Sequence, residues 1–290
     1  MKTTFYLFNP GRMSRKDNTL RFLPVSEEGI EGTPKYIPIE GVSDIFCFGS
    51  LDANSALYNF LGKAGIAVHF FDYYENYTGS FCPKEYLLAG KMQISQTKHY
   101  IDAKKRMILA RKFVSGAAFN MTKSLRYYLN REKDVSLPLE SIELLALQIE
   151  QTKAVDELMG IEGNIRQQYY QAFDTILNDF QMEGRSKQPP ANELNAMISF
   201  GNMLCYSACL NQLYHTQLNP TISFLHEPGY RRFSLALDLA EIFKPVMVDR
   251  TIFRLLNICK SLGRTVERNI QASDIEPKCK LQAFDQVRML

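Results

Sequence analysis

Short runs of β-branched and aromatic residues dominate the first part of the chain and predict strands. The runs are TTFYLF, NTLRFL, KYIPIE, SDIFCF and GIAVHFFDY, each bounded by glycine, proline or polar residues. Between the first two lies NPGRMSRKD, which is rich in turn-forming residues and predicts a turn. Between the last two, apolar residues recur at helical spacing and predict one helix that contains Leu57 and Leu61.

After Pro83 the apolar positions change to the period of an α-helix and keep it. One long helix is predicted from a series of apolar residues that begins at Ile94 and ends at Leu125. Further along, a polar loop, EGRSKQPP, precedes Asn192, which is placed to cap a helix that reaches roughly His215. The second part of the chain is therefore predicted to be helical throughout.

The two patterns together predict an α+β fold, in which a small β-rich N-terminal domain precedes a larger all-helical C-terminal domain. We place the domains at residues 1–83 and 84–290. The chain has 290 residues, of which 46% are hydrophobic and 22% charged, so it can bury a sizeable core and is not expected to be disordered. A formal net charge of +3 permits nucleic-acid binding without requiring it.

The cysteines and the N-terminal sequence bear on the compartment. The six cysteines show no paired CxxC spacing, so neither a zinc ribbon nor a redox dithiol is indicated. The N-terminal sequence MKTTFYLFNPGRMSRKD lacks the apolar core of a secretory signal, and no run of about 18 apolar residues is present. We expect a reduced, cytoplasmic protein with no membrane partner.

Two acids lie inside a segment that is otherwise almost entirely apolar. From Phe233 to Phe243 apolar residues surround Asp238 and Glu241 on all sides, which predicts a buried helix. Residues three apart on a helix lie on the same face, so both carboxylates are expected to project to nearly the same point. Two carboxylates in a dry interior need a proton, a basic partner or a metal ion.

His226 precedes this helix across a turn marked by Pro228 and Gly229. An imidazole beside carboxylates is a common set of ligands for a transition metal, and oxygen-rich sites also take magnesium. The alternative is that His226 only flanks the helix and that the acids form ion pairs. The candidate partners for such pairs are Arg231, Arg232 and Lys244.

A third acid, Glu162, lies between Gly160 and Gly163, with Arg166 one turn further on. Glycines beside a carboxylate allow close approach by a backbone or a phosphate, and the arginine could hold that phosphate. The alternative is an ordinary acid at a helix N-terminus. One divalent ion would explain Glu162, His226 and the acid pair together, and such an ion favours phosphoryl-group chemistry on nucleic acid.

Three segments with these residues resemble one known family, the universal CRISPR adaptation endonuclease and integrase, which inserts new spacers. They are GIEGNIRQQYY, NELNAMISFGNMLCY and SFLHEPGYRRFSLALDLAEIFKPVMVDR, in the order and at the separations that the family shows. The resemblance extends to the whole chain, because that family has a small N-terminal β domain and a helical C-terminal domain.

The resemblance implies roles for individual residues. The metal ligands would be Glu162, His226 and Glu241, with Mn²⁺ or Mg²⁺ as cofactor, and Asp238 would line the catalytic site as a further acidic group. The residues implied to lie near DNA are Arg166, Asn195, Arg231, Arg232 and Arg250.

The resemblance also implies partners and a reaction. The chain would form a homodimer, built partly through a β-rich dimerisation domain, and assemble with a small ferredoxin-like partner of CRISPR adaptation. On double-stranded and branched DNA, the 3′-hydroxyl of an incoming fragment would attack a phosphodiester at the repeat boundary. Two alternatives remain open: a nonspecific metal-dependent nuclease, and a non-enzymatic helical nucleic-acid-binding module whose acids form buried ion pairs.

Overall fold

The computed structural model describes residues 2–261, except residues 27, 75, 84–88, 178–179, 181, 183, 187–189 and 230–232. The chain divides into two compact units. The first comprises Met1–Leu87 with Tyr214–Gln217, and the second comprises Leu88–Leu213 with Leu218–Leu290. The first carries the described strands and one helix, and the second is helical, so the predicted fold class is confirmed.

The first unit contains two four-stranded sheets. Its elements are β1 (Thr3–Leu7), β2 (Gly11–Lys16), β3 (Thr19–Pro24), β4 (Lys35–Pro38), β5 (Val42–Cys47), β6 (Leu51–Asp52), α1 (Ser55–Lys63), β7 (Ala67–Phe71) and β8 (Tyr77–Phe81). One sheet has the order β1-β5-β7-β8, in which only the β7–β8 pair is antiparallel. The other has the order β4-β3-β2-β6. Leu20, Ile45, Leu57 and Leu61 belong to their shared buried core.

The segment NPGRMSRKD contains a strand, so its interpretation as a turn was wrong. Within it, β2 pairs residue by residue with β3, from Gly11 opposite Pro24 to Lys16 opposite Thr19. Met13 is buried, although charged and polar residues surround it. Because one face of this strand is exposed, its sequence carries little of the apolar signal on which the interpretation relied.

The second unit consists of helices. They are α2 (Gly90–Ile101), α3 (Ala103–Leu129), α4 (Ser136–Gln148), α5 (Val155–Leu177), α6 (Glu193–Tyr214), α7 (Ser234–Lys244) and α8 (Arg250–Ser261). A π-helix, Pro245–Asp249, joins α7 directly to α8. The long α3 packs against α4, α5 and α7 and forms the centre of the unit.

The single long helix predicted around Ile94–Leu125 is two helices, because Asp102 starts a new one. Its carboxylate accepts hydrogen bonds from the backbone N–H groups of Lys104 and Lys105, each at 3.1 Å, and so caps α3. Ile94, Ile101 and Ile108, which marked the predicted helix, are largely exposed. The apolar period therefore predicted helical structure correctly here, but it did not identify the buried face of the helices.

Asn192 caps α6 as predicted, since its side-chain oxygen accepts the N–H of Asn195 at 2.9 Å. Aromatic rings fill the interior beneath α5. Phe173 lies with its ring centroid 4.6 Å from that of Phe253 and 5.3 Å from that of Tyr169. All three side chains are fully buried, so α5 and α8 are held at fixed positions.

The absence of a side chain at Gly201 lets α6 approach the π-helix. A Cβ at this position would lie 2.4 Å from Cγ1 of Val248. Valine has one strongly preferred rotamer in a helix, so it cannot swing away at little cost.

We expect Gly201→Ala to lower the free energy of unfolding by about 1–3 kcal/mol because of this overlap. Gly116→Ala is the matched control, since its Cβ would meet Ile242 at an ordinary 3.5 Å. The control should gain up to about 1 kcal/mol from helix propensity. Urea unfolding of both variants measures the difference, and equal values would contradict the packing argument.

Candidate metal and phosphoryl-transfer site

Two glutamates from different helices share one guanidinium. Glu162 lies on α5 and Arg166 follows one turn later, with its Nε and Nη2 atoms 3.3 and 3.1 Å from Oε1 of Glu162. Nη2 also donates to Oε2 of Glu241, which α7 contributes. The three side chains are only 17%, 14% and 12% exposed, respectively, so their charges interact with little screening by water.

Glu241 binds a second cation, Lys244, from its own helix. Burial alone raises the pKa of Glu241, but Arg166 and Lys244 outweigh burial and hold that pKa below its ordinary value. Burial likewise lowers the pKa of Arg166, and the surrounding acids, Glu241 foremost, more than reverse the effect. The ion pair between Glu241 and Lys244 is one of those that the ion-pair alternative predicted. Glu241 is therefore ionised near neutral pH although it is mostly buried.

Asp238 has a different set of partners from Glu241. Its Oδ2 accepts the backbone N–H groups of Phe224 and Leu225 at 2.7 and 2.9 Å. Its Oδ1 accepts the N–H of His226 at 3.0 Å and lies 2.8 Å from Nδ1 of the same residue. Asp238 is completely buried. Although it is three residues from Glu241, its carboxylate is used to hold the loop that carries the histidine.

Arg106 on α3 holds the same loop from another side. Its Nε donates to the carbonyl of Phe224 at 2.9 Å, and its Nη2 lies 2.6 Å from Oε1 of Glu227. Since Nδ1 of His226 is engaged with Asp238, Nε2 is the nitrogen that remains for a ligand. A carboxylate behind a ligating histidine fixes both the ring orientation and the tautomer in this way.

A fourth acid, Asp249, lies fully buried at the end of the π-helix. Burial raises its pKa to about 7, while Arg166 and Lys244 act in the opposite direction. Its Oδ2 accepts no hydrogen bond from any described residue. Asp249 was not predicted as a site residue. Two features of the sequence mark its position: Pro245 lies inside a helical run, and an acid follows the apolar VMV.

Glu162 lies within α5, not at its beginning, so the interpretation as a helix N-terminal acid was wrong. Gly160 and Gly163 are helical as well, and a Cβ at either position would meet nothing within 4 Å. Glycine inside a helix costs about 1 kcal/mol relative to alanine. The open space beside both glycines gives a bulky ligand access to the helix backbone near Glu162.

Among the described residues, no three His, Cys, Asp or Glu side chains already stand in an arrangement that could hold a metal ion. The donor chemistry fits one nevertheless. Glu162 and Glu241 already face a single cationic group, and His226 lies near enough to Glu241 to influence the pKa of that carboxyl. Carboxylates with one imidazole suit Mn²⁺ or Mg²⁺. Binding at Oε1 of Glu162 and Oε2 of Glu241 requires that the Arg166 guanidinium move aside.

The residues expected near DNA fall into different environments. Asn195 is completely buried, and its amide binds Arg185, Ser186, Gly184, Met182 and Asn192. It clamps the chain before α6, and its buried side chain has no surface to offer DNA in this structure. Arg166 is engaged by acids, so the structure does not leave its Nε and Nη2 free for a phosphate. Arg250 is exposed at the start of α8. Arg231 and Arg232 lie outside the described residues.

Relatives with curated names share most of this chain. The CRISPR-associated endonuclease Cas1 of Fusobacterium nucleatum subsp. nucleatum is 45% identical over 258 residues, which is 89% of this chain and 75% of the relative. The CRISPR-associated endonuclease Cas1 2 of Thermodesulfovibrio yellowstonii is 48% identical over 259 residues, covering 89% and 77%.

Solved structures show the same fold. A CAS1 protein from Thermotoga maritima matches with a TM-score of 0.82 and 38% identity, covering 98% of this chain and 89% of that one. A casposase bound to integration product has a TM-score of 0.81 at 19% identity, covering 99% and 82%. A chain of a partial Cas6-RT-Cas1–Cas2 complex has a TM-score of 0.63 at 16% identity, covering 100% and 88%. The last two show likeness of fold alone.

The family described as CRISPR associated protein Cas1 matches residues 5–267, which include the two glutamates, the histidine and the buried helix described above. The family expected from the three sequence segments is thereby confirmed. This chain belongs to the Cas1 family of CRISPR-associated proteins.

Proposed function

We propose that this protein is a divalent-metal-dependent DNA endonuclease and integrase of CRISPR adaptation, with its metal site at Glu162, His226 and Glu241. The observation that carries the proposal is the pair of glutamates from α5 and α7 that face one cationic group. A histidine held by a buried carboxylate accompanies them. Membership of a family whose relatives are named endonucleases supports the same activity.

Mn²⁺ or Mg²⁺, when bound, supplies positive charge to the scissile phosphodiester and activates the attacking oxygen. The protein contributes the positions of the groups that surround it. Asp238 keeps Nδ1 of His226 engaged, so that Nε2 is the ring nitrogen left for a ligand. The glycines beside Glu162 leave room for the DNA backbone. The buried setting strengthens each charge interaction during the reaction.

The attacking group that we propose is the 3′-hydroxyl of an incoming DNA fragment, and the target is a phosphodiester at the repeat boundary. Casposase bound to its integration product shares the fold, which agrees with such chemistry. We further propose a homodimer and a small ferredoxin-like partner. The similarity to a chain from a complex that contains Cas2 supports a partner of this kind. Strand transfer into a repeat-bearing plasmid distinguishes this function from nonspecific cleavage.

We also propose a reduced, cytoplasmic environment. The described cysteines, Cys47, Cys82, Cys205 and Cys209, are free thiols. Burial raises the pKa of Cys47 to about 12, so its thiol is protonated and inert. No helix in the described part of the chain is long and apolar enough to cross a membrane.

The proposed ligands are tested by Glu162→Gln, His226→Ala and Glu241→Gln. Each should reduce metal-dependent cleavage and strand transfer on branched DNA by at least about 100-fold. Each should also weaken the rise in unfolding temperature that Mn²⁺ produces in the wild type, because a ligand of the folded state stabilises it. Glu143→Gln, at an exposed acid paired with Arg126, is the control and should behave as wild type. A ligand variant with normal activity removes that residue from the site.

The positioning of His226 is tested by Asp238→Asn. An amide cannot accept all the hydrogen bonds that this carboxylate receives, so the imidazole should lose its fixed orientation. We expect Mn²⁺ affinity, measured by calorimetry, to fall by about 10- to 100-fold. Asp156→Asn, at an exposed acid in the first turn of α5, is the control. Unchanged affinity in Asp238→Asn would contradict the role of this carboxylate.

DNA binding is tested through its dependence on salt. The logarithm of the binding constant should fall linearly with the logarithm of the salt concentration, with a slope of about −0.9 per phosphate neutralised. Arg250→Gln should make that slope shallower by about 1. Arg126→Gln, which removes an arginine already paired with Glu143, should leave the slope unchanged. A slope near zero for the wild type would argue against DNA as substrate.

A further inference from the structure

Two polar groups, on Asp249 and on Arg166, make no hydrogen bond to any residue that the structure describes. Oδ2 of Asp249 is buried and accepts no hydrogen bond from a described residue. Nη1 of Arg166 donates none to a described residue, since the three hydrogen bonds of this side chain come from Nε and Nη2. A buried acceptor without a partner is costly, typically about 1–3 kcal/mol. An uncompensated acceptor of this kind needs a physical explanation.

The two groups share one part of the interior. Tyr169 is three residues from Arg166 on α5, so both side chains project from the same face of the helix. Burial, and next the charge of Asp249, raise the pKa of Tyr169, and Arg166 is the strongest of the cations that lower the pKa of Asp249. The packing of Phe173 against Phe253 fixes α5 against α8, whose first turn follows Asp249 directly. The Arg166 guanidinium therefore has a third acid, Asp249, in its surroundings besides Glu162 and Glu241.

Occupancy by a divalent ion and by the guanidinium is mutually exclusive at one set of oxygens. Arg166 holds Oε1 of Glu162 and Oε2 of Glu241, and both residues are proposed metal ligands. A metal ion at these oxygens would repel the guanidinium strongly in a poorly screened interior. The displaced group is only 14% exposed, and a charge that remains buried requires another anionic partner.

We propose that Asp249 is a positioning residue that receives the Arg166 guanidinium when Glu162 and Glu241 bind a divalent cation. This inference rests on the proposed metal site. A rotation of the arginine side chain that brings Nη1 toward Oδ2 would give this buried acceptor a donor. Asp249 thereby sets the affinity for metal without touching the metal. Lys244 remains near Glu241 and is not the group that Asp249 receives.

The experiment is a double-mutant cycle on the full chain with Mn²⁺ affinity as the readout, measured by calorimetry without DNA. Asp249→Asn keeps the side-chain shape and removes the receiving charge, so it should weaken Mn²⁺ binding by about 10-fold. In an Arg166→Gln background no guanidinium has to be displaced, and Asp249→Asn should change the affinity by less than about 2-fold. In a Lys244→Gln background the full effect should remain.

Three outcomes would overturn the inference. Equal weakening by Asp249→Asn with and without Arg166 would mean simple long-range attraction between a carboxylate and the metal. A coupling seen only with Lys244 would assign the displaced cation to the lysine. A lower unfolding temperature with unchanged Mn²⁺ affinity would mean that Asp249 only supports the fold. By contrast, a wild type that does not bind Mn²⁺, or whose Mn²⁺ affinity is unaffected by Glu241→Gln, contradicts the proposed metal site itself.

A measurement on the wild type keeps the inference testable if Asp249→Asn does not fold. The Nε–H signal of Arg166 can be assigned in ¹⁵N NMR spectra by its loss in Arg166→Gln. Addition of diamagnetic Mg²⁺ should shift this signal, because Nε leaves Glu162. The Nε–H signal of Arg106, which binds the carbonyl of Phe224, is the internal control and should not shift. An unchanged Arg166 signal at saturating Mg²⁺ would contradict the displacement.

Discussion

The charge balance inside the helical unit is the constraint on which the proposed chemistry depends. Glu162, Glu241 and Asp249 bring three acidic groups into an interior where Arg166 and Lys244 supply two cations. Buried acids repel one another, and each cation that is removed leaves an uncompensated charge. An excess of acid over base makes the group receptive to a further positive charge. Burial keeps one carboxyl, that of Asp249, with a raised pKa.

The hydrogen bonds of Asp238 have a separate effect, which is to fix the backbone conformation of the loop that carries His226. Residues 222–227 form no regular element, yet the backbone N–H groups of Phe224, Leu225 and His226 converge on one carboxylate that α7 holds in place. A fully buried carboxylate is tolerated because its oxygens are satisfied. The contact between Nδ1 of His226 and Oδ1 of Asp238 also fixes the orientation of the imidazole. Of the two acids on α7, Glu241 therefore attracts cations, and Asp238 orders the backbone of the loop.

Sequence reasoning found the elements whose signal is local and missed those that depend on tertiary contacts. The fold class, α7 and the capping role of Asn192 follow from apolar period and local hydrogen bonding, and the structure has each of them. The spacing of Asp238 and Glu241 predicted a common partner, but a spacing of three residues does not specify what packs against each side chain. Asn195 could not be identified as a clamp, because its partners come from a segment that the helical period does not describe. Asp249 gave only a weak signal, since the cost of burying it becomes visible only when its neighbours are known.

The π-helix between α7 and α8 has a consequence for chain length. It inserts a wider turn between two helices that otherwise run on directly, and so it sets the rotation of α8 relative to α7. Deleting a single residue from Pro245–Asp249 would rotate every later side chain of α8 by about 100°. Phe253 would leave the aromatic core, and Arg250 would turn away from its present surface. Insertions and deletions cannot be absorbed in this segment, because its length sets the register between the two helices.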